Sequence, residues 1–209
     1  AQRAALMLRA AGVEYEILCT ITKQNVGYGK ETLQYLANFT EYAAFIFPRP
    51  PSPGPWEHAP SGEEVLAFMR EVAAESHPER SAVGVRNFIA AASSWARKPI
   101  TCEVGPVCGT YMLVSPNGDL HACDFLKTDA WRVGNVYGKR PLIEIFRTSK
   151  AMRELRKMKR LPHEECEKCS MIGGCFRGCP ASRYLAGGDF ADLDPYCEAR
   201  KFCAEITRA

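Results

Sequence analysis

The chain has no apolar run long enough to cross a bilayer and none of the charged, apolar and small-residue succession of a signal peptide. A membrane partner is therefore not expected, and the cytoplasm, where thiols stay reduced, is the expected compartment. Charge of one sign is also scarce: 27 basic residues face 24 acidic ones, for a net charge of +3. One local excess, seven basic residues and one acid between Arg147 and Arg160, has no aromatic residues interleaved. It reads as a solvated helix face, and no nucleic-acid partner is expected. Close cysteine pairs are few as well, since only Cys166 and Cys169 have Cys-x-x-Cys spacing. A structural zinc knuckle usually needs two such pairs.

What the chain does have is cysteine in order. Of its ten cysteines, eight form one series: Cys102, Cys108, Cys123, Cys166, Cys169, Cys175, Cys179 and Cys197, with gaps of 6, 15, 43, 3, 6, 4 and 18 residues. Eight thiolates can saturate two four-ligand centres. Thiolate ligation excludes magnesium and calcium, which take oxygen ligands, and leaves zinc or iron–sulfur clusters. The crowding of Cys175 and Cys179 behind the Cys166/Cys169 pair is like the runs of cluster ferredoxins, where neighbouring ligands serve different clusters. Two 4Fe-4S clusters are the preferred reading, with zinc the alternative. A disulfide framework belongs to small exported domains short of core, and 209 residues with 46% apolar composition do not need one.

The first hundred residues read as alternating helix and strand. Helices are expected over Ala4 to Ala11, stopped by Gly12, and over Lys30 to Phe39. The runs Tyr15 to Thr22 and Tyr42 to Phe47 suit buried parallel strands. That succession is α/β-barrel syntax, though two strands cannot close a barrel. Pro48 to Pro60 follows, with six prolines in thirteen residues, and reads as a stiff extended loop. It leaves a strand C-terminus, where barrel active-site mouths are built, so Trp56 and His58 are placed near such a mouth without an assigned role. Ser61 and Glu64 form a capping-box pattern for a helix to about Glu75. Val83 to Ala96 reads as mixed strand and helix with Trp95 in the core, and the domain boundary falls near Pro99.

In the second half, Asn117-Gly118 between two short β-like runs, Tyr111 to Val114 and Asp119 to Ala122, signals a hairpin. It would bring Cys108 and Cys123 together, a structural reason for their spacing. Gly134 and Asn135 read as turn residues, and Pro141 to Met158 as one helix. Cys19 and Cys203, outside the series, read as packing residues.

The cysteine spacing, with the words "CGTYMLVSPNGDLHACDF", "VGNV", "CEKCSMIGGCFRGCP" and "YCEARKFC", resembles the SPASM domain of radical S-adenosylmethionine (SAM) enzymes, and specifically that of the anaerobic sulfatase-maturating enzymes. This likeness over about half the chain favours iron–sulfur over zinc. Arg177 departs from it, standing where the family usually has glycine. No Cys-x3-Cys-x2-Cys SAM-cluster loop occurs in these residues. The chain is thus expected to be the C-terminal part of a longer protein, inactive by itself.

The resemblance implies an α/β fold: residues 1–99 as the C-terminal part of a partial radical SAM barrel, and 100–209 as a small α+β SPASM domain. It assigns Cys102, Cys108, Cys123 and Cys179 to one auxiliary 4Fe-4S cluster and Cys166, Cys169, Cys175 and Cys197 to a second. SAM and a third cluster belong to the full-length enzyme, and a reducing electron donor and a sulfatase peptide are the implied partners. The implied reaction removes a hydrogen from the β-carbon of a substrate cysteine or serine, with Asp124 of the word "CDF" as general base and formylglycine as product. Two other classes stay open: another SPASM enzyme that modifies peptides, and a non-catalytic module that binds peptide or carries electrons.

Overall fold

The computed structural model describes residues 1–77, 79 and 81–208. Its first half opens with α1 (Gln2–Ala10), β1 (Ile17–Thr20), α2 (Gly29–Ala37) and β2 (Tyr42–Ile46), continuing with α3 (Gly62–Glu75), β3 (Gly84–Val85) and α4 (Arg86–Trp95). The three strands form a parallel sheet in the order β1-β2-β3, in register from Ile17 opposite Ala43 to Thr20 opposite Ile46. Central β2 buries Ala43, Ala44 and Phe45, as a strand covered on both faces should. Edge strand β1 does not match the expectation of burial: Leu18 is 59% exposed. The capping box at α3 is complete, with Ser61 Oγ accepting from Glu64 N at 3.2 Å and Glu64 Oε2 accepting from Ser61 N at 2.7 Å.

The second half contains β4 (Leu113–Val114), β5 (Asp119–His121), β6 (Arg132–Asn135), α5 (Leu142–Thr148), α6 (Lys150–Met158), α7 (Glu164–Glu167), α8 (Ile172–Cys175), α9 (Pro180–Gly187) and α10 (Cys197–Ile206). The hairpin expected around Asn117-Gly118 pairs Leu113 with His121 and Val114 with Leu120. Gly118 takes φ +83°, which suits glycine. Gly134 and Asn135 are strand residues here, not a turn: β6 adds antiparallel to β5. Gly134 is small enough to let Ile145 of α5 press on the strand, where an added Cβ would meet its Cδ1 at 3.0 Å. The helix expected over 141–158 is two helices. Ser149 is extended and its side chain accepts from Met152 N at 3.3 Å, capping the second one.

The two halves share a core. Tyr196, Ala199 and Cys203, at and along α10, pack with Leu33, Phe68 and Val72 of the first half. Trp95, half-buried, donates from Nε1 to Ala204 O at 2.8 Å. Its ring lies so close to Gly173 and Gly174 that an added Cβ on either would come within 2.5 Å. The proline-rich loop is seated on the second half, with Gly54 N donating to Leu185 O at 2.9 Å and Tyr196 Oη to Pro48 O at 3.1 Å. Cys19 is half-buried against the first core, and Cys203 is buried within it. Among the described residues no helix is long and apolar enough to cross a membrane.

Candidate iron–sulfur centres and the carboxylate beside them

Three of the series cysteines, Cys108, Cys123 and Cys179, sit in one buried cluster with Ala122, Met152 and Leu155. Burial pushes the Cys108 thiol up to about 12, with Cys179 and Cys102 raising it further against Lys159. The Cys102 and Cys123 thiols are also raised by burial, and Cys179 raises each again. Cys102, Cys108, Cys123 and Cys179 are therefore neighbours. The hairpin holds two of them, and Cys179 is delivered from the late run as the N-cap of α9.

Cys166, Cys169, Cys175 and Cys197 gather on short helical segments. Cys166 lies in α7 and Cys169 one turn later, its N–H donating to Cys166 O at 3.3 Å. Cys175 ends α8 and Cys197 opens α10. Burial raises the Cys197 thiol to about 12, against the opposing ammonium of Lys201 and with help from Cys175 and Cys166. Burial also raises Cys166, which Arg177 and Arg183 lower and Cys169 raises.

Among the described residues every cysteine is a free thiol, and no three His, Cys, Asp or Glu side chains converge on one metal-ion-sized point. A tetrahedral zinc needs its sulfurs all at ~2.3 Å from a single ion. A four-iron cube takes each thiolate on a different iron, so its ligands stand wider apart. Burial raises the thiols of Cys102, Cys108, Cys123, Cys166, Cys175 and Cys197, so a metal binding there must displace their protons.

The loop between Cys175 and Cys179 shows why glycine would suit position 177. Phe176, Arg177 and Gly178 have φ of +48°, +65° and +65°, a left-handed run that glycine adopts without cost. Arg177 thus occupies a position whose backbone favours glycine, and its Nε is buried without a hydrogen-bond partner among the described residues. Arg177→Gly is expected to stabilise the fold by about 1 kcal/mol, the gain at φ being partly offset by unfolded-chain entropy. Urea unfolding of the two proteins measures it; equal midpoints would show that the loop is unstrained.

Asp124 follows Cys123 directly. Its Oδ1 accepts from Tyr111 Oη at 2.8 Å and lies 3.5 Å from the Cys123 sulfur, while Oδ2 has no hydrogen-bond partner among the described residues. Phe125, the next residue, carries the Arg49 guanidinium 3.8 Å above its ring. Arg49 comes three residues after β2, so this stacking brings Asp124 toward the C-terminal end of the parallel sheet. In α/β barrels that end bears the active site. Trp56 and His58 stack edge to face on each other, 5.4 Å apart, and Trp56 lines a groove with Pro48 and Tyr196.

A buried charge network, not foreseen from sequence, joins these parts. Arg49 pairs with Glu103 and donates from Nε to Ser182 Oγ at 2.6 Å. Arg200 reaches Glu103 at 3.4 Å and Asp194 at 3.0 Å. Lys159, 2% exposed, donates to Glu103 O at 2.8 Å and also to Gly178 O. The stretch 147–160 is therefore not uniformly a solvated face: Met152, Leu155 and Lys159 are its inward side. The helical spacing 152, 155, 159 was the available signal.

Against its desolvation, Arg200 and Arg49 bring Glu103 down to about 2 from 4.5. A lowered carboxyl contributes stability that is present above the unfolded value and lost as pH falls toward the folded one. Glu103→Gln should accordingly flatten the stability profile between about pH 4.5 and 2. Acid titration followed by circular dichroism tests this, and parallel profiles for the two proteins would remove Glu103 as the cause.

Residues 102–170 match the SPASM family, an iron–sulfur cluster-binding domain. Over 208 residues the chain is 24% identical to the cysteine-type anaerobic sulfatase-maturating enzyme of Clostridium perfringens, spanning 96% of this chain and 56% of that protein. It is 24% identical over 107 residues to the serine-type enzyme of Bacteroides thetaiotaomicron, covering 50% of this chain and 25% of the relative. The mycofactocin maturase MftC of Mycobacterium tuberculosis is 31% identical over 85 residues, 41% of this chain and 21% of the relative. Among solved structures, native anSMEcpe with bound AdoMet superposes with a TM-score of 0.83 at 25% identity, covering 97% of this chain and 57% of that one. The chain thus spans about half the length of the sulfatase-maturating relatives it matches. It contains a SPASM domain and has the fold of the corresponding part of the anaerobic sulfatase-maturating enzymes.

Proposed function

We propose that this chain is the auxiliary-cluster part of a cytoplasmic radical SAM maturase that oxidises a cysteine or serine of a sulfatase to formylglycine. The observation that carries the reading is Asp124: a half-buried carboxylate beside Cys123, with one oxygen engaged and the other open. Similarity to sulfatase-maturating enzymes along 96% of the chain supports it. MftC matches over 85 residues, and the alternative of another peptide-modifying SPASM enzyme would equally require the cluster-binding region at 102–170.

Cys102, Cys108, Cys123 and Cys179 would hold one 4Fe-4S cluster, and Cys166, Cys169, Cys175 and Cys197 the other. The eight free thiols suit such a group in kind and number, with Cys108, Cys123, Cys175 and Cys179 buried and the other four half-buried. When bound, such clusters supply one-electron acceptance. Full protein ligation leaves no open iron position for substrate. Asp124 has the task of taking the thiol or hydroxyl proton of the substrate residue, for which a base must stand within hydrogen-bonding reach. Tyr111 holds its Oδ1 in place, so Oδ2 is the oxygen free for the proton. Glu103, Arg49 and Phe125 fix this carboxylate relative to the sheet, and the missing SAM-cluster loop would be supplied by the rest of the enzyme together with an external reductant.

Anaerobically reconstituted protein is expected to hold about eight irons with matching sulfide, from the count of two four-thiolate sites. Iron and sulfide assays with absorbance near ~400 nm measure this; zinc bound in place of iron, without sulfide, would overturn the assignment.

A further inference from the structure

Two cations buried in the seam between the cysteine quartets have no solvent to balance them. Lys159 is 2% exposed and Arg183 1% exposed. The Lys159 ammonium is fixed by the carbonyls of Glu103 and Gly178. Arg183 donates from Nη2 to Met158 O at 2.9 Å, yet its Nε and Nη1 are buried with no hydrogen-bond partner among the described residues. Unpaired guanidinium nitrogens in an interior are costly and call for an acceptor. Gly178, whose carbonyl accepts from Lys159, lies between Cys175 of one quartet and Cys179 of the other, and Arg183 follows Cys179 by one turn of α9, its N–H donating to Cys179 O at 3.1 Å. Burial lowers both cations, and cysteines of both quartets oppose it: Cys108, Cys179 and Cys175 at Lys159, and Cys166, Cys179 and Cys108 at Arg183. Asp194 is the acid that also faces Arg183, and Arg200 the cation that also faces Lys159.

We propose that Lys159 and Arg183 form a fixed cationic seam that raises the reduction potentials of both auxiliary clusters together, with the free Arg183 nitrogens donating to cluster or thiolate sulfur. The inference rests on the two-cluster assignment above. A thiolate-ligated cluster is net anionic and becomes more so when it takes an electron, so a nearby buried cation favours the reduced form. Donors to the sulfurs act in the same direction. Because each cation faces both quartets, it eases electron entry at one cluster without opposing transfer to the other. Lys159 and Arg183 are positioning residues in this sense; neither touches substrate.

The test is a redox titration of the anaerobically reconstituted protein, followed by electron paramagnetic resonance, with iron and sulfide counted in each sample. Arg183→Gln, which keeps donors but not charge, should retain its iron and show both potentials more negative. The expected change is about tenfold or more in each one-electron reduction equilibrium, ~59 mV per tenfold. Arg183→Lys should recover most of the shift, and the exposed neighbouring change Arg160→Gln should leave both potentials in place. If Arg183→Gln loses iron, Lys159→Met carries the same expectation. Unshifted potentials at full iron content, or a shift at one cluster alone, would overturn the proposal. A parent protein lacking two sulfide-bearing clusters would instead overturn the assignment beneath it.

Discussion

Under the proposed function, Asp124→Asn made in the full-length maturase is expected to lower formylglycine production about a hundredfold to ten-thousandfold, the usual worth of one positioned base. Asparagine has nearly the same shape and can still accept from Tyr111, whose hydroxyl lies 2.8 Å from Oδ1. Neither quartet loses a ligand, so the iron count should not move. What disappears is a carboxylate able to take a proton at Oδ2. The defect should therefore fall after SAM cleavage, so that 5′-deoxyadenosine is released in excess over modified peptide. Mass spectrometry of the peptide and chromatography of deoxyadenosine measure the ratio directly. A variant that keeps the parent ratio and yield would take Asp124 out of the chemistry and favour another peptide modification by the same scaffold.

The parts legible in sequence are those written in local chemistry. The hairpin at Asn117-Gly118, the capping box at Ser61 and Glu64 and the alternation of helix and strand up to Trp95 all depend on neighbours a few residues away. They appear where the pattern places them, with boundaries moved by one or two residues. The turn reading at Gly134 and Asn135 failed because β6 is a strand by virtue of β5, eleven or more residues earlier, and its glycine answers to packing by Ile145. The helix over 141–158 broke because Ser149 uses its side chain as a cap, a choice that serine offers but does not announce. Lys159 and Arg183 were hidden for a different reason. A lysine or arginine is usually exposed, and only the fold reveals that these two lie inward among thiols. The cysteine series was legible by spacing as a candidate ligand set, whereas the contacts that seat Cys179 come from Asp194, fifteen residues on, in a loop with no recognisable motif.

That aspartate is where the largest loss of stability is expected. Asp194 Oδ2 accepts from Cys179 N at 2.9 Å and pairs with Arg200 at 3.0 Å, while Oδ1 accepts from Tyr196 N at 3.0 Å. Its backbone carbonyl also accepts from Cys197 N at 2.9 Å. One residue thus fixes the main chain at a cysteine of each quartet. Its side chain is 3% exposed and that of Arg200 13%. Asp194→Ala would strand a buried guanidinium, release two N–H groups and open space beside Gly178. The loss of one partner from a buried pair costs about 3–5 kcal/mol. Glu103, which also faces Arg200 and has its side chain 37% exposed, should hold the outcome at the lower part of that range. Because the side chain holds the N–H of Cys179, assigned to one quartet, and that of Tyr196, next to Cys197 of the other, the variant should also retain less iron at both sites, where removal of a single thiolate would begin at one. Urea unfolding of the metal-free protein gives the first quantity, and iron per chain after anaerobic reconstitution gives the second. Parent-like stability with full iron would mean that Arg200 and the Cys179 backbone find other partners, and that Asp194 is not the tie between the two centres.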